Sequence, residues 1–149
     1  MNVDVTSEAV IVRPRAVVFS YAADPGNAPH WYVNIKEVEW ITEPPLGPGS
    51  RVAFVAQFLG RRIAYTYEIV ELVPGERLTM RTAEGPFPLE TTYTFADVAG
   101  GTRMTLRNHG TPSGFSAIAA PMMAAAIRRA NGKDLKLLKS ILESPQRAR

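Results

Sequence analysis

The sequence predicts an α+β domain in which a curved antiparallel sheet wraps one long C-terminal helix. Three observations lead there. A β-rich segment opens the chain, Val3 to Val12, followed by two short helical stretches. Then come six segments of strand-like composition joined by tight glycine and proline turns, an arrangement that short antiparallel strands require. Last comes a stretch of about 30 residues with helical periodicity and no internal turn signal. The chain has 149 residues, 46% of them hydrophobic, and shows no repeat, low-complexity tract or linker. It therefore reads as one domain over 1–149, with a core of about 3–143 and 144–149 as a flexible tail.

The elements follow in order. The first strand ends at Arg13-Pro14, where proline stops a strand and suits the first turn of a helix. A short helix, Pro14 to Ala23, breaks at Asp24-Pro25-Gly26. A second helical turn over Asn27–Val33, with Asn27 as its cap, carries His30, Trp31 and Tyr32. Strands are expected over Ile35–Thr42, Arg51–Leu59, Arg61–Val73, Arg77–Ala83, Glu90–Val98 and Thr102–Asn108. The joints are Pro44 to Gly49, Gly60, Pro74-Gly75, Gly85-Pro86 and Gly100-Gly101. The helix is expected from Ser113 or Gly114 to Glu143, roughly 45 Å long, with Ser113 as its cap and Pro121 as a kink seven residues in.

At 100° per residue, Ala117, Ala120, Ala124, Ile127, Asn131, Leu135, Leu138 and Leu142 share one stripe of that helix. The leucine half fills space against a sheet, whereas the alanine half fills little. An unfilled apolar void loses dispersion contacts, so a chain that keeps one usually holds an apolar guest there. The alternative is that Phe54, Phe58, Tyr65, Tyr67, Tyr93 and Phe95 reach across and close the gap. Asn131 is the polar exception on the stripe: its amide needs either a strand partner or a ligand.

Composition narrows the function classes. With no cysteine there is no disulfide, thiolate metal site or cysteine nucleophile, which suits a cytoplasmic location. The N-terminus has early acids and no basic region before an apolar run, so no secretory signal is expected. Phe115 to Ile127, the longest apolar run, falls short of a membrane span. The net charge of +3 divides unevenly: residues 114–149 carry +5 and the rest −2. That basic helix reads as a solvated face or as a patch for transient membrane contact, with Phe115 and Met122 as apolar contacts; without interleaved aromatics, nucleic acid is not expected. His30 and His109, the two histidines, lack any ligand spacing, so no metal and no cofactor are expected. Nucleotide-binding and esterase motifs are absent, and Gly110-Thr111-Pro112-Ser113-Gly114 reads as a strand-to-helix turn or a gate.

Several local signatures occur in a telling order. They are Arg13-Pro14-Arg15-Ala16-Val17-Val18-Phe19 leading to Asp24-Pro25, then Pro29-His30-Trp31 and Val70-Glu71-Leu72-Val73-Pro74-Gly75-Glu76-Arg77-Leu78. Gly100-Gly101-Thr102-Arg103-Met104-Thr105 and Asp134-Leu135-Lys136-Leu137-Leu138-Lys139 complete the set. Together they resemble the START-like or Bet v 1-like superfamily, in particular its bacterial polyketide cyclase/dehydrase and lipid-transport branch, over roughly Val3 to Glu143. The resemblance implies a helix-grip fold with a seven-stranded sheet and a hydrophobic cavity, and it places Trp31 at the cavity rim. It implies no single activity, because members bind or carry lipids, sterols and quinones, cyclise polyketides, or act as chaperone regulators and antitoxin-like factors.

Three functions follow as expectations. The first is a binder or carrier of a small hydrophobic molecule, contacted by Trp31, Phe54, Tyr65, Tyr67, Tyr93, Phe95, Ala120, Ala124, Ile127 and Asn131. The second is a polyketide cyclase or aromatase in which Tyr67, Arg81 or His109 polarises a carbonyl or moves a proton. Glu68 and Arg81 would be notable if buried, and a one-residue change of strand phase would turn both outward. The third is a partner- or membrane-docking module using the basic helix face.

Overall fold

The computed structural model describes residues 2–85, 88–111 and 119–144. The elements run β1 (Val3–Ile11), α1 (Arg15–Ala22), a 3-10 turn (Pro25–Asn27), α2 (Ala28–Trp31), β2 (Ile35–Trp40), β3 (Arg51–Phe58), β4 (Arg61–Val73), β5 (Arg77–Glu84), β6 (Leu89–Val98), β7 (Gly101–Gly110) and α3 (Ala120–Glu143). The strands form one seven-stranded sheet in the order β1-β7-β6-β5-β4-β3-β2, antiparallel at every pairing. This is the curved, helix-gripping α+β architecture that the sequence predicts, including the two short helices after the first strand.

Period-two alternation sets the faces. On β7, Thr102, Met104, Leu106 and Asn108 are buried while Arg103 and Arg107 are exposed. The outward face is laced by cross-strand pairs such as Arg107–Asp4 at 2.7 Å and Arg103–Glu8 at 3.1 Å. These exposed pairs contribute little each. The β3–β4 hairpin turns on two residues, Leu59 and Gly60, both at positive φ (52° and 77°), which matches the strand twist. The β2–β3 pairing carries a bulge between Ile35 and Glu37.

The long helix differs from expectation at its start. Ala119 is extended (φ −63°, ψ 145°) and α3 begins at Ala120. Pro121 therefore lies in the first turn, where its missing N–H is not needed, and it does not kink a longer helix. The 24 residues of α3 span about 36 Å. The expected cap Ser113, Ala117 and the turn at 112–114 lie outside the described residues, as do Phe115 and the tail residues 145–149. The buried face of α3 comprises Met123, Ile127, Asn131, Asp134, Leu135, Leu138 and Leu142. Met123 is fully buried on this face, and the partly buried Ala124 packs beside it on the Val3, Val5 and Ile63 cluster.

Core packing is uneven along the helix. Leu135, Leu138 and Leu142 join Trp31, Ile69, Leu78, Met104 and Leu106 in one cluster. Met123 and Ile127 pack on Val3, Val5 and Ile63. Three hydrogen bonds tie the end of α3 to the chain leaving β1: Val12 N–H donates to Glu143 Oε2 (2.8 Å), Arg13 Nη1 to the Leu142 carbonyl (2.7 Å), and Lys139 Nζ to the Val10 carbonyl (2.6 Å).

Two glycines give a contrasting test. A Cβ on Gly101 would meet the Ile11 carbonyl oxygen at 2.2 Å and Val12 Cα at 3.0 Å, which are backbone atoms that cannot swing away. A Cβ on Gly132, on the exposed side of α3, would meet nothing within 4 Å. Gly101→Ala is expected to destabilise by about 1–3 kcal/mol. Gly132→Ala is expected to stabilise by about 0.5–1 kcal/mol through helix propensity. Urea denaturation decides; equal shifts for the two would contradict the β1–β7 contact.

Candidate functional site

Two adjoining, partly open chambers lie between the concave side of the sheet and α3. The first has a volume of about 60 Å³ and lies under the Ala22–Ala28 segment, against Val52, Phe54, Met80, Thr91 and Tyr93. The second, of about 110 Å³, lies under α3, against Phe58, Ile63, Leu89, Met123, Ile127, Asn131 and Asp134. Tyr32, Ile35, Tyr65, Tyr67 and Asn108 line both, so these side chains form the partition. An apolar cavity of about 150 Å³ admits benzene. Neither chamber reaches that size alone, and the two together exceed it once a partition side chain moves. Among the described residues, no Lys, Arg or His lines either one.

A polar line crosses this apolar interior. Thr91 donates to Asn108 Oδ1 at 2.5 Å, which leaves its own oxygen to accept from the Tyr67 hydroxyl at 2.9 Å. Asn108 Nδ2 donates to Asn131 Oδ1 at 3.2 Å. Direction is thereby fixed from Tyr67 to Asn131. The line ends on Asn131 Nδ2, which is buried with no partner among the described residues. Leaving such a donor unmet costs about 1–3 kcal/mol. The Tyr67 proton is committed to Thr91, so its phenol meets the chamber as an acceptor, and burial holds its pKa above the usual phenol range. Tyr32 and Tyr93 bond to each other through their hydroxyls, and burial raises both pKa values further.

Asp134 is the one acid deep in the site, 2% exposed. Its Oδ1 accepts the Val33 N–H at 2.9 Å. No cation pairs with it among the described residues. Burial pushes its pKa up to about 7, against the smaller opposing effect of the Val33 hydrogen bond.

The sequence-derived site residues fall into three groups. Phe54, Tyr65, Tyr67, Tyr93, Ile127 and Asn131 line the chambers. Trp31 (fully buried) and Phe95 (4% exposed) sit in the core and do not line them. Ala120 and Ala124 are half-buried and do not line the chambers, whereas Met123 does. Two catalytic candidates are displaced outright. Arg81 alternates with Met80 and Thr82, which face inward, and so is exposed on the outer face, where Glu68 is its strand partner. Glu68 itself pairs with Arg51 at 3.4 Å. His109 alternates with inward Asn108 and bonds Glu90 at 3.1 Å on the outer face. His30 is exposed on α2, and Met122 is 68% exposed at the start of α3.

Three buried polar residues of the site escaped the sequence reading: Thr91, Asn108 and Asp134. Period two from Tyr93 and Phe95 reaches Thr91, and from Met104 and Leu106 it reaches Asn108. Asp134 lies three residues beyond Asn131, on the same side of the helix. Among the described residues no group of three His, Cys, Asp or Glu side chains could hold a metal, and no helix is long and apolar enough to cross a membrane.

Comparison with known proteins agrees with this architecture. Residues 2–143 match the family described as polyketide cyclase / dehydrase and lipid transport. No curated protein sequence matches. Among solved structures, the chain is similar to the Zhui aromatase/cyclase from Streptomyces sp. R1128, at 18% identity and a TM-score of 0.78 over 100% of this chain and 97% of that one. It is similar to a START superfamily protein from Mycobacterium smegmatis, at 13% identity and a TM-score of 0.79 over 94% and 97%. A protein from Thermus thermophilus gives 22% identity and a TM-score of 0.77 over 92% and 94%. These likenesses show the fold, and the match over nearly the whole chain shows the family: this protein belongs to the polyketide cyclase / dehydrase and lipid-transport family.

Proposed function

We propose that the protein binds a small, predominantly apolar molecule inside the two chambers and carries it without chemistry of its own. The observation behind this reading is the partly open, tyrosine- and aliphatic-lined space crossed by a hydrogen-bonded line that ends on an unmet amide. Apolar walls supply affinity, and the amide orients a ligand oxygen. A carrier role rather than catalysis is supported by the outward placement of Arg81 and His109 and by the commitment of the Tyr67 proton to Thr91. The same reading places the protein in the cytoplasm, in keeping with its cysteine-free sequence.

Native mass spectrometry of the purified protein, with organic extraction of whatever is released, tests this directly. A bound apolar mass is expected. Ala56 is 6% exposed, lines the larger chamber and faces inward from β3, so Ala56→Phe places a ring in the ligand space. The variant is expected to lose binding at least about tenfold while keeping its fold. Unchanged affinity in a folded variant would place the ligand elsewhere.

A second reading, cyclisation of a bound polyketide chain, is favoured by one observation. Asp134 is a chamber-lining carboxyl that ionises near neutral pH, a property suited to proton transfer. Turnover of a polyketide substrate that disappears in Asp134→Asn would establish it; binding without product would remove it.

A further inference from the structure

The walls of the larger chamber specify more than an apolar guest. Asn131 and Asp134 lie three residues apart on α3 and both line it. Asn131 is 4% exposed and Asp134 2%. The Asn131 oxygen is taken by Asn108, so what it offers is its unpartnered Nδ2 donor. One Asp134 oxygen, Oδ1, accepts the Val33 N–H, so Oδ2 is the oxygen it offers to the chamber. The site therefore presents a donor beside an acceptor, at the foot of walls made by Tyr32, Tyr65 and Tyr67.

We propose that the larger chamber recognises neutral, flat molecules that carry a hydrogen-bond donor next to an acceptor, such as lactams or enolised carbonyls, with the acceptor on Asn131 and the donor on Asp134. This rests on the binding function proposed above and names the class of ligand. Charge excludes the alternatives. A carboxylate or phosphate would find no Lys, Arg or His on either chamber wall among the described residues and would face the Asp134 carboxyl. An ammonium would satisfy Asp134 but leave the Asn131 donor unmet beside a cation. A donor–acceptor pair satisfies both groups at once, and a desolvated site that leaves a polar group unpaired rejects the analogue responsible.

Four fused bicyclic probes separate these cases: the isosteric pair 2-quinolone, with an N–H beside its carbonyl, and coumarin, with a ring oxygen in place of that N–H; and the slightly larger charged pair 2-naphthoate and 2-naphthylmethylammonium. Isothermal titration calorimetry at pH 8 is expected to give 2-quinolone the highest affinity, about tenfold above coumarin, with 2-naphthoate undetected. In Asp134→Asn, the amide oxygen still accepts from Val33 while its nitrogen turns a donor toward the chamber. The preference for 2-quinolone over coumarin should then shrink below about threefold. Equal affinities for 2-quinolone and coumarin in the wild-type protein would overturn the proposed ligand class and leave the cavity reading standing. Tightest binding of the ammonium or the carboxylate would overturn it as well. No binding of any probe would overturn both this proposal and the cavity reading.

Discussion

Asp134→Asn is expected to stabilise the protein at pH 8 by about 2–4 kcal/mol while leaving it within about 1 kcal/mol of wild type near pH 4. The reason is the raised pKa of this carboxyl, about 7 in the folded protein against about 3.9 in an unfolded chain. Between those two values the folded state holds a proton that the unfolded state has lost. Stability therefore falls as pH rises, by at most about 1.4 kcal/mol per unit, and the whole loss, about 4 kcal/mol at its upper bound, is reached above pH 7. Asparagine cannot ionise, yet its oxygen keeps the Val33 N–H bond. The exposed carboxylates Asp4, Glu71 and Glu143 have lowered pKa values from their Arg107, Arg77 and Lys139 partners, so their contributions run the other way, lost as pH falls. They are common to both proteins and cancel in the difference. Urea unfolding from pH 4 to 8 measures it; parallel stability curves for the two proteins would show that Asp134 ionises normally.

Trp31→Ala is expected to cost about 3–5 kcal/mol, a large part of the 5–15 kcal/mol available to an ordinary domain. Trp31 is fully buried. Its ring centroid lies 4.2 Å from that of Tyr32 and 5.7 Å from that of Tyr93, the two residues whose hydroxyls bond each other above it. Removing the indole leaves a void that these rings cannot fill without breaking their contact. Trp31→Phe should be much milder, because the indole N–H has no partner among the described residues and its loss removes an unmet donor. Chemical denaturation of both variants is the check. A cost below about 1.5 kcal/mol for Trp31→Ala would mean that the core collapses around the gap.

The strands were legible because their ends are punctuated. Gly60, Pro74-Gly75 and Gly100-Gly101 place turns wherever they occur, and the observed strand ends fall within about two residues of those expected. The helix start was not legible. Alanine-rich sequence around Ala117–Ala120 favours helix on propensity alone, and Pro121 is compatible with either a kink or a first turn. Within the site, the stripe through Ile127 and Asn131 runs between Met123 and Ala124, and it is the larger Met123 that is fully buried and lines the chamber while Ala124 packs half-buried beside it. Arg81 and His109 failed for a different reason. Each is a polar residue on a strand, and its face depends on phase, yet the apolar residues Leu78 and Met80 already turn Arg81 outward, as Met104 and Leu106 turn His109. The buried polar residues Thr91, Asn108 and Asp134 are not marked by composition, which reads such residues as surface; strand register brings Thr91 and Asn108 together, and helical spacing from Asn131 places Asp134.

The way α3 is fastened to the end of β1 also bears on self-association. The sheet does not close, so β1 and β2 are open edges, each able in principle to template a strand from another molecule. On β1, Lys139 already holds the Val10 carbonyl and Glu143 holds the N–H just beyond the strand, so an added strand would have to displace the helix end before it could pair there. β2 is defended differently: it is six residues long, bulged, and carries Lys36, Glu37 and Glu39, all exposed. The open sheet that makes room for a guest is thus blunted at both margins against fibre-like stacking.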